Sequence, residues 1–275
     1  MKLIREIKRL QIQILNLIII LKRILNIFDI IEIENFKFKV TPHHFWREFK
    51  KDGWEPETYE SFKKNINHET TFIDIGAWVG VTTIWASLLG CKKIFSVEAN
   101  PRSYKLLLKT IHANKTLNDF VTLTNKCISN SNGEMIKFGR KLSSNSMISD
   151  KGDYQVETIT LPNYIKDINN LNHVFIKIDI EGAEELVIKD LVLLKNSIKN
   201  LKILLALHPS FWKNKKLVCS EILELSKEFQ ITYLSGEILP NERLEEMIMT
   251  KEKFPGWGTP YGNLFEIILD NSSFS

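Results

Sequence analysis

An acid at position 74, glycines at 76 and 80 and a second acid at 98 are the first residues in this chain whose types and spacing suit a ligand site. In the run Thr71-Phe-Ile-Asp-Ile-Gly-Ala-Trp-Val-Gly80, an apolar, β-prone stretch from Phe72 to Ile75 ends in Gly76. Gly80 then opens a helical pattern through Val81, Ile84, Trp85, Leu88 and Leu89. The predicted turn sets a sheet edge against a helix N-terminus, so a ligand could approach bare backbone and use unpaired amide hydrogens. Glu98 closes a second apolar run, Lys93 to Val97, about where α/β nucleotide folds place the carboxylate that holds a ribose hydroxyl pair. Ala77, Ala99 and Asn100 belong to the same two turns.

The glycines narrow the ligand. A dinucleotide fold needs G-x-G-x-x-G so that backbone packs on a pyrophosphate, and this chain has Asp74-x-Gly76-x-x-x-Gly80. A carboxylate there repels phosphate. S-adenosylmethionine carries an ammonium group and a sulfonium centre instead, and both accept a neighbouring acid, so the pattern favours a methyl donor.

A second constellation lies at "IKIDIEGAE", Ile176 to Glu184. Alternation along a strand predicts that Asp179 and Glu181 point the same way at its carboxyl end, the edge where open α/β sheets bind ligands. Either acid could orient or deprotonate an acceptor, or the pair could hold a divalent ion; a helix cap is the structural alternative. Glu184 and Glu185 read as a solvated first helical turn. His208, in "LLALHPSFW", ends the next predicted strand beside Asp179 and has the side chain suited to proton transfer near neutral pH. His43, His44, His68, His112 and His173 have no partner visible in sequence.

The elements that would position these groups alternate as a doubly wound sheet requires: strands 71–75, 93–97, 120–124, 174–180, 201–207, 230–234 and 264–269, with helices 79–89, 101–114, 183–190 and 213–228. Upstream, 36–40 reads as a strand and 42–66 as one or two helices broken near Gly53 and Pro56. A β-like insertion covers 135–138 and 155–159. The polar run Lys141 to Asp153 between its halves, with Ser143, Ser144, Asn145 and Ser146, reads as a lid. Trp212, Trp257 and Tyr261 stand on loops near the sheet edge, where rings could stack on a sugar.

At 275 residues the chain suits one large α/β domain, 36–275, behind an N-terminal helical segment, 1–35. The net charge of +4 resides in residues 1–30, and the remainder is formally neutral. A neutral body argues against a nucleic-acid partner. Cys91, Cys127 and Cys219 include no C-x-x-C pair, which suits a reducing, cytoplasmic setting and neither a disulfide framework nor zinc. In the N-terminal segment, Leu3, Ile7, Leu10, Ile14, Leu17, Leu21, Ile24, Phe28 and Ile31 keep steps of three and four along one helical seam. Its most apolar stretch, Leu10 to Leu21, falls short of the ~20 residues that cross a bilayer. Packing on its own domain or a twin, lying on a membrane surface, and a signal anchor are the three roles left open.

The runs "FIDIGAWVGVTT", "VEANP", "NKCISNSNG" and "IKIDIEGAE" together resemble the FkbM-type methyltransferases, a branch of the class I S-adenosylmethionine-dependent enzymes. The resemblance spans about residues 50 to 270. It implies a Rossmann-like, seven-stranded, mostly parallel sheet with a reversed last strand, a cap over the cleft from "GWEPETYESF", and adenine near Cys127 and Ile128. It also implies O-methylation of a small molecule, sugar or glycan. Pro162 departs from the family, which often has an acid there. The expected cofactor set is therefore Asp74, Gly76, Ala77, Gly80, Glu98, Ala99, Asn100, Cys127, Ile128 and Asp179, and the expected catalytic set His208, Asp179 and Glu181. A dinucleotide-linked oxidoreductase and a membrane-associated binding protein with a non-catalytic pocket are the rival classes.

Overall fold

The computed structural model describes residues 2–139, 148, 152–169, 171–250 and 264–272. Ser143 to Ser146 of the expected lid, and the loop bearing Trp257 and Tyr261, lie outside the described residues.

In chain order the elements begin with α1 (Lys2–Ile24), a hairpin of β1 (Asp29–Ile33) and β2 (Phe36–Val40), α2 (Phe45–Asp52) and α3 (Pro56–Asn65). Then come β3 (Thr71–Ile75), α4 (Val81–Leu88), β4 (Lys93–Val97), α5 (Pro101–Ala113), β5 (Val121–Thr124) and β6 (Cys127–Ile128). The insertion supplies β7 (Met135–Phe138), β8 (Tyr154–Ile159) and α6 (Leu161–Ile165). The second half holds β9 (His173–Ile178), α7 (Ile188–Ser197), β10 (Asn200–Leu207), α8 (Lys215–Glu224), β11 (Gln230–Thr232), α9 (Asn241–Met249) and β12 (Phe265–Asp270).

Seven strands form the main sheet in the order β11-β12-β10-β9-β3-β4-β5. The pairs β10/β9, β9/β3, β3/β4 and β4/β5 are parallel, and β12 runs antiparallel to both its neighbours. This is the expected class I arrangement with a reversed last strand. Its central strands are continuous apolar runs because both sheet faces are covered. Ile73, Ile176 and Ile203 pack on the face occupied by Leu191 of α7, Ile222 of α8 and Leu244 of α9. Their neighbours Phe72, Phe175 and Leu204 point the other way, onto Phe62 of α3, Trp85 of α4 and Leu107 of α5. Beside this sheet, β6, β8 and β7 form a small sheet of their own.

Several boundaries differ from expectation. The N-terminal helix ends at Ile24: Asn26 takes a left-handed φ of 51°, and Ile31 belongs to a strand. Phe28 and Ile31 kept step with the heptad only because the hairpin that buries Ile31 and Val40 follows at once. The strand expected over 174–180 stops at Ile178, and the helix expected over 183–190 is a 3-10 turn, Glu184–Leu186, followed by α7. Helix α9 was not anticipated. Pro162 falls in the first turn of α6, whose cap is the Thr160 hydroxyl accepting from the Asn163 amide.

Candidate active site

The loops at the carboxyl ends of β3, β4, β9 and β10 surround a cleft of about 460 Å³. Gly76, Ala77, Glu98, Ala99, Cys127, Ile128, Asp179, Glu181 and His208 all line it, so most of the expected site residues converge there. Asp74, Gly80 and Asn100 do not line it. They hold its walls.

Asp74 is fully buried beneath the first turn, its Oδ2 accepting from the hydroxyls of Thr82 (2.8 Å) and Thr83 (2.7 Å) at the start of α4. Its Oδ1 has no hydrogen-bond partner and faces Lys177 Nζ at 3.9 Å. Burial raises its pKa, against the pull of Lys177 and the two hydroxyls. Asn100 caps α5, its Oδ1 accepting from the amides of Arg102 and Ser103.

The turn itself corrects one expectation. The amides of Gly76 and Ala77 donate to the Val97 carbonyl (both 3.0 Å), that of Gly80 to Ala77 (2.8 Å), and that of Trp78 to Glu98 Oε2 (2.7 Å). Those donors are spent within the protein, so they are not bare hydrogens awaiting a ligand. Gly76 is needed for another reason: at φ 84°, a Cβ there would lie 1.9 Å from the Asp179 carbonyl oxygen. The glycine lets the β3 and β9 loops touch.

Glu98 anchors the opposite lip. Its Oε1 accepts from the Asn100 amide and its Oε2 from Trp78, both at 2.7 Å, which leaves each oxygen further lone-pair capacity. Burial pushes its pKa up to about 7 against those two bonds. Cys127 and Ile128 are buried in the adjoining wall beside Phe138. Burial pushes the Cys127 thiol up to about 12, which makes it an apolar contact rather than a nucleophile.

Asp179 and Glu181 do meet, by a different route from strand alternation. Both lie beyond β9 in a turn where Glu181 takes φ 54° and Gly182 φ 94°. A Cβ at Gly182 would come within 2.4 Å of Phe211 Cβ. His208 Nε2 faces Asp179 Oδ1 at 3.6 Å and Glu181 Oε2 at 3.8 Å. Glu184 is wholly buried, not solvated: Oε1 accepts from the Gly182 amide (2.9 Å) and meets His208 Nδ1 (2.8 Å), and Oε2 accepts from Trp212 Nε1 (2.8 Å). Trp212 thus serves as a donor beneath the site. Burial alone would lower the His208 pKa, yet Glu184, then Asp179 and Glu181, outweigh it and push it up to about 9. The imidazole is therefore charged at neutral pH, not poised there. Asp179 is held below the usual carboxylate range: burial opposes this, and the charges of Lys177 and His208 prevail. Burial and the charge of Asp179 raise Glu181.

The structure adds Lys177, Glu55 and Glu266. Lys177, buried inside β9, reaches the Gly76 carbonyl and Asp179 Oδ2 (both 3.2 Å). Burial alone would lower its pKa, but Asp179 and Asp74 outweigh burial and raise it above the ordinary lysine value. Glu266 enters the cleft because the reversed β12 sets it opposite Ala206, near the carboxyl end of β10. It accepts from the Thr58 hydroxyl at 2.7 Å, and burial pushes its pKa up to about 7. Glu55, at φ 44° before Pro56, is raised well above its ordinary value by burial and by Glu266. The readable signal for Lys177 and Glu266 was a charge flanked on both sides by apolar strand residues, "FIKI" and "LFEII". His44 also lines the cleft, and its neighbour His43 packs edge-on to Trp78.

A parallel sheet with a reversed last strand, an acid at the tip of its second strand and an acid-and-imidazole cluster at the tips of the fourth and fifth define an S-adenosylmethionine-dependent methyltransferase. Residues 74–239 match the family profile "Methyltransferase FkbM domain". The chain belongs to that family. Among solved structures it is similar to methyltransferase FkbM from Methylobacillus flagellatus KT, at 14% identity and TM-score 0.45, covering 79% of this chain and 51% of that one. It is also similar to M. capricolum TrmK in complex with S-adenosyl-homocysteine, at 16% identity and TM-score 0.41, covering 78% and 67%. A third is a precorrin-6y C5,15-methyltransferase from Geobacter metallireducens GS-15, at 17% identity and TM-score 0.42, covering 78% and 87%. The chain spans about half the length of the FkbM structure it matches. No curated protein sequence matches it.

Proposed function

We propose that the protein transfers a methyl group to a hydroxyl oxygen of a small, saccharide-like acceptor, with the donor held between Glu98 and Asp179. The observation that carries this reading is one cleft lined by Glu98 on one side and Asp179, Glu181, Glu55 and Glu266 on the other. A ribose diol finds acceptor oxygens on Glu98, and an ammonium group or a sulfonium centre finds the Asp179 carboxylate, which its surroundings keep ionised. When bound, the donor supplies an electrophilic methyl group for in-line attack by oxygen.

The chain's own residues supply alignment and a route for the proton. Glu98 offers its remaining lone pairs to the ribose, and Cys127, Ile128 and Phe138 form an apolar wall for a purine. Asp179 and Glu181, on either side of His208 Nε2, hold the acceptor so that its reacting hydroxyl meets that nitrogen and its oxygen faces the methyl group, an alignment that supplies much of the rate gain in such a displacement. Once its own Nε2 proton has passed to solvent through the cleft, His208 accepts the acceptor hydroxyl's proton at that nitrogen, with Glu184 holding Nδ1.

A second reading rests on the same cluster. Asp179, Glu181 and His208 each offer one donor atom within 4.8 Å of the others, the spacing of three ligands to one divalent ion. Such an ion would polarise the acceptor hydroxyl. Lys177 beside Asp179 already supplies one positive charge.

The test is incubation with labelled S-adenosylmethionine and a panel of alcohols, sugars and lipid-linked glycans, with and without chelator. Transfer to oxygen is expected; label found on nitrogen or nucleic acid overturns the acceptor class, and activity abolished by chelator favours the metal reading. Calorimetric titration of S-adenosylhomocysteine should show affinity falling on the order of tenfold in Glu98→Gln. Undiminished affinity removes Glu98 from the ribose.

A further inference from the structure

Helix α1 leaves most of its described surface exposed, with Leu15, Ile19, Lys22 and Arg23 half-buried along one side. Ile7, Leu10, Ile14, Leu17, Leu21 and Ile24 follow one another at steps of three and four and are all exposed, Leu10 at 57% and Leu17 at 56%. The opposite side carries Arg5, Lys8 and Asn16, with Arg9 and Gln13 between it and the apolar face, all exposed. Among the described residues, the polar bonds that fasten it to the body lie in the last turn: Lys22 pairs with Asp29 at 2.6 Å, and Arg23 Nε donates to the Pro42 carbonyl at 2.7 Å. Among the described residues, no helix is long and apolar enough to cross a membrane.

We infer that α1 is an interfacial anchor that lies in the plane of an anionic lipid surface. Charge decides between lipid and a second copy of the helix. The sequence of α1 has Lys and Arg at six positions and one acid, Glu6, so two such helices side by side would meet mostly cation to cation, with a single acid on each to set against six cations. An anionic headgroup layer supplies the missing charge to Arg5, Lys8 and Arg9. Shape agrees with charge. Ile18 and Ile20 flank the seam on either side and are exposed too, which makes the apolar surface wider than the narrow stripe a two-stranded coil covers, and Ile4 and Ile12 lie exposed on the far side. The tether sets what the anchor does for the cleft: Pro42 lies two residues before His44, which lines the mouth, so docked α1 holds that mouth close to the lipid surface.

The experiment is co-sedimentation of the full chain with vesicles of phosphatidylcholine alone or with a third phosphatidylglycerol, at low and high salt, alongside its mass in solution by light scattering. Binding to the anionic vesicles only, weakened by salt, is expected. Arg5→Glu/Lys8→Glu/Arg9→Glu should weaken it on the order of a hundredfold or more, and Leu10→Asp/Leu17→Asp should abolish it; both variants should keep the parent melting temperature, since these side chains are exposed. Equal binding to neutral vesicles, no binding at all, or a dimer that Leu10→Asp/Leu17→Asp dissociates would overturn the inference.

Discussion

His208 shows how a residue's surroundings can reverse the role its type suggests. An imidazole is chosen for proton transfer because its ordinary pKa is near neutral, but Glu184 at 2.8 Å with two further acids pushes this one up to about 9. If His208 is the proton acceptor, methyl transfer rises with pH and levels off only above about 9; a profile that levels near 7 would point to a carboxylate such as Glu266 instead. Glu184→Gln should move that inflection down and lower the melting temperature, because breaking a buried charged pair costs about 3 kcal/mol or more. The sign of the stability effect follows from the raised pKa. The pair's contribution is complete below about 6.5, the ordinary histidine value, and is lost as pH climbs through about 9, so parent and variant should converge in stability under alkaline conditions. Parallel melting curves from pH 6 to 10 would check it. The sequence made the meeting of His208 with Asp179 legible, since adjacent strand ends imply it. It hid Glu184, because the acid follows a glycine at a helix start and so resembles an ordinary solvated first turn.

At the level of elements, the central strands were readable for a physical reason. Parallel strands covered on both faces have to be continuous apolar runs, and β3 and β4 matched their expected limits residue for residue. The misplaced limits fall where two periodicities agree by accident, as at Phe28 and Ile31, or where a strand gives way to a left-handed turn, as after Ile178. Glycines at such turns differ in what they are for, and this can be tested. Gly76 and Gly90 have similar positive φ values, 84° and 76°, but only Gly76 has a neighbour, the Asp179 carbonyl, in the space a Cβ would fill. Gly90→Ala should therefore cost about 1 kcal/mol, the penalty of a left-handed alanine alone. Gly76→Ala carries the same penalty plus a backbone clash that no rotamer relieves, so the β3 and β9 loops must part; a loss of more than about 3 kcal/mol in chemical denaturation is expected, together with loss of cofactor binding. Equal destabilisation by the two substitutions would show that the loops do not press on one another at Gly76.

In the whole molecule, the body and its N-terminal helix answer to different forces. The body's two cores lie on the two faces of one sheet, and the cleft is made by loops from both halves of that sheet, so folding and site formation are one event. Helix α1 is largely outside this cooperative unit: Ile7, Leu10, Ile14 and Leu17 remain exposed, Leu15 and Ile19 are no more than half-buried, and among the described residues the polar bonds that fasten it begin at Lys22. Deleting residues 1–20 leaves Lys22, Arg23 and the hairpin that buries Ile31 and Val40 in place. It should therefore change the body's unfolding free energy by less than about 1 kcal/mol, the range of surface changes away from buried groups, and leave the affinity for S-adenosylhomocysteine unaltered. Solution behaviour should change in one direction: removing an exposed apolar helix with a basic face raises solubility and ends retention on anionic surfaces. Urea denaturation and calorimetric titration of the truncated and full chains, run side by side, measure both quantities. A fall of several kcal/mol on truncation would mean that α1 packs against the body in solution and belongs to its core.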